Sequence, residues 1–261
     1  MTRDIIRTER IGPVTVIHLQ DDRALNALGS ALVAGLADAL EHAQQDPEVR
    51  AVVITGSDRA FCAGAHIPEV LALREALTAD PDAEVYLDRL FDLLAASPQP
   101  VIAAVRGLAL GGGCELALAC DLVVAGESAS FGLPEVRLGV IPGAGGTQRL
   151  VHAIGKAKAT RMLMTGESVD AAWAESAGLV AEVAADEDVV ARAVDIARRA
   201  ADNAPGAVRL AVGCARRAQD LSLTDGLVHE RRAFLEALAS DDAAEGMSAF
   251  AQKRRPVFGS R

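Results

Sequence analysis

The sequence predicts an α/β protein: a β/α core followed by a helical C-terminal region, built as one unit. Three observations carry this reading. Short β-branched runs alternate with helically spaced segments through the first half of the chain. Beyond about Gly139 the pattern becomes almost wholly helical. No Ser- or Pro-rich linker, low-complexity tract or fixed-period repeat divides the 261 residues, a length that buries a substantial core.

The elements follow in order. "VTVIHL" (14–19) is β-branched and reads as a strand, "SALVAGLADALEHAQQD" (30–46) has helical spacing, and "AVVITG" (51–56) is a short apolar strand ending in Gly. A charged amphipathic stretch spans about 69–96, and "PVIAAVRG" (100–107) is a further buried strand. Gly111, Gly112 and Gly113 mark a turn and a helix start, "ELALAC" a short buried helix, and "DLVVAG" (121–126) the next strand. Helices are then expected over "TQRLVHAIG", "AKATRMLMTG" and "DAAWAESAG", and over 186–202, 205–218, 222–239 and 241–254, with "LVAEV" (179–183) as the one intervening strand.

Composition narrows the function classes. Hydrophobic residues make up 51% of the chain but aromatics only 3%, so the core is packed from Ala, Val, Leu and Ile. The formal net charge of -10 disfavours a general attraction to nucleic acid or to an anionic membrane, and the pairs Arg216-Arg217 and Arg254-Arg255 are too short to reverse it. Cys62, Cys114, Cys120 and Cys214 form no C-x-x-C pair and have no His at ligand spacing, which argues against a metal site and for reduced thiols. "MTRDIIRTER" mixes charges of both signs without the apolar run of a secretory signal, and no run of about 18 apolar residues offers a membrane span. A cytoplasmic protein is the expectation.

The candidate chemistry begins with "GLALGGGCELALACD" (107–121), which sets Glu115 among apolar neighbours. An unpaired buried charge is costly, so the helix either turns this side chain to water or uses it. The preceding glycines fit tight packing or, equally, a helix start whose free N–H groups face an oxyanion. A second isolated carboxylate, Glu135, follows Pro134; it either pairs with Arg137 or Arg149 or converges with Glu115 to divide acid and base roles. The loop "RAFCAGAHIPEV" offers further backbone donors around Gly64 and Ala65, with His66 as a polar loop residue. Nucleotide loops are excluded. "IPGAGG" lacks the last Gly of G-x-G-x-x-G, since residue 148 is Gln, and no Gly-Lys-Ser/Thr occurs. "GESAS" (126–130) fails the serine-hydrolase elbow at its last position.

These pieces occur together in one known order. Through "RALNAL" (23–28), "FCAGAHI" (61–67), "PVIAAVRGLALGGGCELALACDLVVA" (100–125), "FGLPEVRLGVIPGAGGTQRL" (131–150), "AGLV" (177–180) and "DDAAEGMSAFAQKRRPVF" (241–258), the chain resembles the enoyl-CoA hydratase/isomerase (crotonase) family, nearest its short-chain enoyl-CoA hydratase branch. The likeness covers nearly the whole length. It implies a crotonase-like ββα spiral core over 1–195 and a C-terminal helical trimerisation region over 196–261, within one unit. It also implies homotrimers, usually paired into hexamers.

The resemblance further implies a site and a reaction. The N–H groups of Ala65 and Gly112 would form an oxyanion hole for an acyl thioester carbonyl, and Glu115 and Glu135 would be the catalytic pair hydrating a trans-2-enoyl-CoA, as in β-oxidation. Family members bind CoA along backbone matching Arg23, Ala24 and Leu25 and along a loop matching Ala63 to Pro68, which includes Ala65, His66 and Ile67. Lys253 matches a basic position that approaches the CoA phosphates, sometimes from a neighbouring subunit; a solvated helix charge is the other reading. No metal or redox cofactor is implied, CoA being part of the substrate. His66 and Pro68 depart from the family pattern, which has an Asp and a basic residue there. The competing readings are a Δ3,Δ2-enoyl-CoA isomerase or another crotonase-family acyl-CoA activity, and an RNA-binding relative, which the acidic balance opposes.

Overall fold

The computed structural model describes residues 5–82 and 85–259. β1 (Ile6–Ile11) and β2 (Val14–Leu19) form an antiparallel hairpin, followed by α1 (Ser30–Gln45). The chain then repeats one pattern of strand, strand and helix. β3 (Ala51–Thr55) and β4 (Ala60–Cys62) lead to α2 (Ile67–Ala79) and α3 (Asp88–Ala95). β5 (Val101–Val105) and β6 (Leu108–Leu110) lead to α4 (Gly112–Ala119). β7 (Leu122–Gly126) and β8 (Ser130–Gly132) lead through a 3-10 turn (Pro134–Leu138) to α5 (Gly146–Ile154). There follow α6 (Lys156–Thr165), β9 (Ser168–Asp170), α7 (Ala171–Ala177), β10 (Glu182–Ala184), α8 (Val189–Ala201), α9 (Pro205–Arg217), α10 (Leu223–Leu238) and α11 (Asp241–Ala251).

The first strand of each repeat joins a six-stranded sheet ordered β1-β2-β3-β5-β7-β10, and the second joins a four-stranded sheet ordered β4-β6-β8-β9. This is the expected ββα spiral. In the larger sheet every pairing from β2 to β10 is parallel. Such a sheet needs cover on both faces, which is why "AVVIT" and "VIAAV" read as unbroken apolar runs. One face, with Ile17, Val52, Ile54, Ala103 and Val105, packs against α1 and α4; the other, with Val16, Val53, Ile102 and Val124, packs against Val189, Ala193 and Ala197 of α8.

Several elements differ from the sequence expectation, each for a physical reason. β1 is an exposed edge strand rich in charge, without an apolar alternation to announce it. β4, β6, β8 and β9 are three residues each, too short for a period to show. β9 therefore interrupts a region read as helical apart from "LVAEV". That expected strand shifts to Glu182–Ala184, because Leu179 and Val180 are buried in the turn after α7. The amphipathic stretch 69–96 divides into α2, with no buried residue, and α3, which buries Leu90, Phe91 and Leu94.

The C-terminal helices are capped by their own hydroxyls: Ser222 accepts from the Asp225 N–H and Ser240 from the Ala243 N–H. The tail after α11 is fastened to the amino ends of the strands. Arg50, just before β3, donates to the Phe258 carbonyl at 3.1 Å, and the Gly259 N–H donates to Asp242 at 2.9 Å. α9 is tied in by Arg216, which pairs with Asp121 at 2.7 Å and donates to the Ser97 carbonyl at 2.6 Å. Cys62, Cys114, Cys120 and Cys214 are free thiols. Among the described residues no helix is long and apolar enough to cross a membrane.

The repeats approach closely at Gly113, where an added Cβ would lie 2.0 Å from the Cys62 carbonyl oxygen. A backbone atom cannot yield as a flexible side chain can. Gly113→Ala is expected to lower the unfolding free energy by more than about 3 kcal/mol in urea denaturation. Gly143→Ala, with nothing within 4 Å, is expected to change it by less than about 0.5 kcal/mol.

Candidate active site

β4, β6 and β8 are adjacent parallel strands, so the segments leaving their carboxyl ends emerge side by side. Ala65 follows β4, Gly112 and Glu115 follow β6, and Glu135 follows β8. The spiral thus gathers on one sheet edge four residues spread over some seventy positions of sequence. The carboxyl ends of parallel strands are where α/β folds commonly bind ligands.

Two backbone donors are aimed by their own peptides. The Leu28 N–H donates to the Gly64 carbonyl at 2.7 Å, and Leu28 and Ala65 form a parallel bridge. A planar trans peptide points its N–H away from its carbonyl, so fixing the Gly64 oxygen toward Leu28 turns the Ala65 N–H the other way. The same logic holds at α4. The Gly111 carbonyl accepts the Glu115 N–H at 3.0 Å, leaving the Gly112 N–H to project from the helix N-terminus. Gly111 has φ 52° and ψ -126°, a conformation that requires glycine. A Cβ on Gly112 would stand 3.6 Å from the Ala65 nitrogen and 3.0 Å from Leu28 Cδ1. The two donors are therefore neighbours, and glycine keeps the space before them open.

Glu115, one turn into α4, is only 3% exposed. It is not turned to water. Its Oε1 accepts two backbone N–H groups, from Ala144 and Gly146, each at 2.8 Å. The second lies at the start of α5, so the helix dipole also favours the anion. A side chain at Gly146 would come within 2.9 Å of this oxygen, which accounts for the last glycine of "PGAGG". Burial pushes the Glu115 carboxyl above the ordinary range, while the Gly146 and Ala144 N–H groups and the Arg149 guanidinium pull it back.

Glu135 has the opposite surroundings. It is half-buried in the 3-10 turn, its Oε1 lies 3.1 Å from where a Cβ on Gly111 would be, and its Oε2 is buried without a hydrogen-bond partner. Neither arginine suggested as its partner pairs with it among the described residues; Arg137 donates to the Thr165 carbonyl, and Arg149 has its Nε unpartnered. Burial, opposed by its own backbone N–H and reinforced by the Glu115 charge, pushes Glu135 up to about 7. One carboxyl is held as an acceptor and the other is poised to carry a proton at neutral pH.

The segment Arg23–Leu25 is stitched to the donor loop. The Ala63 N–H donates to the Leu25 carbonyl at 3.0 Å, and the buried Asn26 amide donates to the Ala60 and Phe61 carbonyls at 3.0 and 3.2 Å. Ala24 is held by a hydrogen bond from its N–H to Asp21. Arg23, Ala24, Leu25, Ala63 and Ala65 thus share one turn-loop assembly. His66 is the N-cap residue of α2, its Nδ1 3.4 Å from Glu69 Oε1, and Ile67 and Pro68 open the helix. Lys253, with φ 55°, lies in the tail after α11, which Phe258 fastens to Arg50 just before β3.

Sequence reasoning missed the groups that hold the site in place: Ala144 and Gly146 on Glu115, Leu28 on Gly64, Asn26 on the β4 strand, and Tyr86, whose hydroxyl donates to the Leu28 carbonyl at 2.9 Å. The glycine density of "PGAGG" was the one visible signal. Among the described residues no cluster of three His, Cys, Asp or Glu is placed to hold a metal ion.

Comparison with known proteins gives a consistent picture. Residues 9–261 match the family model described as enoyl-CoA hydratase/isomerase. A protein of Mycobacterium tuberculosis named "Probable enoyl-CoA hydratase" is 45% identical over 263 residues, covering 100% of each chain. The 2,3-dehydroadipyl-CoA hydratase of Escherichia coli is 44% identical, covering 95% of this chain and 96% of that one. The crystal structure of an enoyl-CoA hydratase from Bacillus anthracis superposes with a TM-score of 0.91 at 37% identity, covering 99% of this chain and 100% of that one.

The position of Glu135 has a consequence for stability. Its folded pKa, about 7, is raised above the ordinary carboxyl range. The fold therefore tolerates this group best below the unfolded pKa and loses that advantage as pH rises through about 7. Glu135→Gln, neutral throughout, is expected to raise the melting temperature at about pH 8 and to leave it nearly unchanged at about pH 4. Calorimetric scans at both values check the sign.

Proposed function

Because the chain belongs to the enoyl-CoA hydratase/isomerase family, we propose that it hydrates a trans-2-enoyl-CoA to the 3-hydroxyacyl-CoA, with Glu115 and Glu135 as its two catalytic carboxyls. One observation carries the reading: both glutamates emerge beside the paired donors Ala65 and Gly112, one clamped by two N–H groups and the other buried with a free oxygen.

In this mechanism the thioester oxygen lies between the Ala65 and Gly112 N–H groups. Fixed donors stabilise the negative charge that develops there as the conjugated system accepts a nucleophile at C3. Water supplies the nucleophile. Glu115, held ionised by Ala144, Gly146 and the α5 N-terminus, takes the water proton as the oxygen bonds to C3. Glu135, protonated near neutral pH, gives its proton to C2. The product carries one added water, and a proton passes from Glu115 back to Glu135 to close the cycle. CoA enters as part of the substrate along Arg23–Leu25 and Ala63–Pro68, and the scheme calls on no metal or redox cofactor.

The helical C-terminal region supports an assembly of identical chains. α10 buries only Ala233, while Leu223, Leu227, Phe234, Leu235, Met247 and Phe250 are exposed, Phe250 at 87%. An apolar surface of this kind marks an association site. We propose that it is covered by further copies of the chain, as a trimer or a pair of trimers, and that a neighbouring copy is the one whose bound CoA Lys253 approaches. Light scattering on the eluting protein is expected to give three or six chain masses; a monomer at micromolar concentration contradicts this.

The hydratase reading is tested by following loss of the enoyl absorbance with crotonyl-CoA and longer homologues. Wild type is expected to turn over, and Glu115→Gln and Glu135→Gln to lose about 10²- to 10⁴-fold in kcat with the fold intact. A wild type that moves the double bond of a 3-enoyl-CoA but adds no water to any 2-enoyl-CoA would replace the hydratase reading by the isomerase one.

A further inference from the structure

Tyr86 is the chain's single tyrosine. It lies between α2 and α3, half-buried, in the turn that leads into α3, whose Leu90, Phe91 and Leu94 are buried. Its hydroxyl donates to the Leu28 carbonyl at 2.9 Å. That carbonyl also accepts the His66 N–H at 3.2 Å, while the Leu28 N–H donates to the Gly64 carbonyl at 2.7 Å. Leu28 is thus the strut that orients the Gly64–Ala65 peptide; the Cys62 thiol contacts the Gly64 carbonyl at 3.9 Å and the Leu28 backbone, and the Tyr86 hydroxyl braces the Leu28 carbonyl directly.

The support on the other side is thin. α2, which directly follows the donor loop, has no buried residue, and its Glu69 reaches back to accept the Ser30 N–H at 2.7 Å. The donor loop therefore relies on the turn at residues 28–30, which is held by Glu69 from the loosely packed helix and by Tyr86 from the turn that leads into the firmly packed one. Burial and the nearby Glu69 charge raise the phenol above its ordinary value, so its hydroxyl remains a donor at neutral pH.

Resting on the hydratase reading, we propose that Tyr86 is a positioning residue for the oxyanion hole: by holding the Leu28 carbonyl it keeps the Ala65 N–H aimed at the thioester oxygen. It touches no reacting atom. Its contribution belongs to the developing oxyanion more than to the bound ground state, and so to kcat more than to KM.

The test uses the whole enzyme. Tyr86→Phe removes only the hydroxyl. It is expected to lower kcat about tenfold, leave KM within about twofold, and move the infrared carbonyl stretch of bound product thioester part of the way back toward its frequency in free solution. Because the chain has one tyrosine, growth on fluorotyrosine labels this site alone and keeps the hydroxyl; that protein is expected to retain kcat and to show a fluorine resonance that moves when the product binds. A Phe variant with wild-type kcat and carbonyl frequency overturns the proposal. So does one in which KM and melting temperature change while the carbonyl frequency does not, since that is a packing role. Should the Phe variant not fold, a fluorine resonance unmoved by product overturns it instead. A wild type that hydrates no enoyl-CoA removes the hydratase reading itself, whereas a hydrating wild type with an unaffected Phe variant removes only the Tyr86 brace.

Discussion

The site depends on the rigidity of two peptide bonds. A planar peptide cannot turn its N–H without turning its carbonyl, so anchoring Gly64 O on Leu28 and Gly111 O on Glu115 decides where the Ala65 and Gly112 N–H groups point. Both anchors are short backbone hydrogen bonds inside the spiral, one between the 21–28 turn and the donor loop, the other within α4. Preorganised donors need no rearrangement when charge develops, which is the largest single source of stabilisation a site of this type offers. The fold supplies that preorganisation by making β4, β6 and β8 adjacent and parallel.

The two carboxyls have contrasting surroundings on the same scaffold. Both are pushed up by burial, and the Glu115 charge raises the cost of ionising Glu135 further. What separates them is the count of donors. Glu115 receives two N–H groups from the loop that opens α5, whereas Glu135 is left with a buried, partnerless oxygen. Between two close carboxyls negative charge is favoured on the one that receives more hydrogen bonds, here Glu115, despite its deeper burial. The last glycine of "PGAGG" matters because a side chain at Gly146 would occupy the space of the carboxylate it serves.

How much of this was legible in the sequence follows from length and locality. The long parallel strands and the helices that cover them were readable, because burial on both faces leaves continuous apolar runs such as "VIAAV". The three-residue strands of the second sheet were not, and with them went the reason that Ala65, Gly112 and Glu135 share an edge. The anomaly of Glu115 was visible as a charge in apolar company, and Glu135 as an isolated carboxyl after Pro134. Their surroundings were not, since Ala144, Gly146 and Tyr86 act through a backbone N–H or across fifty-eight positions of sequence. Taken alone, the residues favoured a pairing of Glu135 with Arg137 or Arg149, and placement overturns it among the described residues.

On the proposed function, the Ala65 and Gly112 N–H groups bind one thioester oxygen while Glu115 and Glu135 face the carbons beyond it. A crystal structure with a 3-hydroxyacyl-CoA bound measures this directly. The thioester oxygen is expected at about 2.7–3.1 Å from both nitrogens, with the 3-hydroxyl against Glu115 and C2 toward Glu135. A thioester oxygen that contacts neither nitrogen, or an acyl chain that leaves the edge formed by β4, β6 and β8, would contradict it.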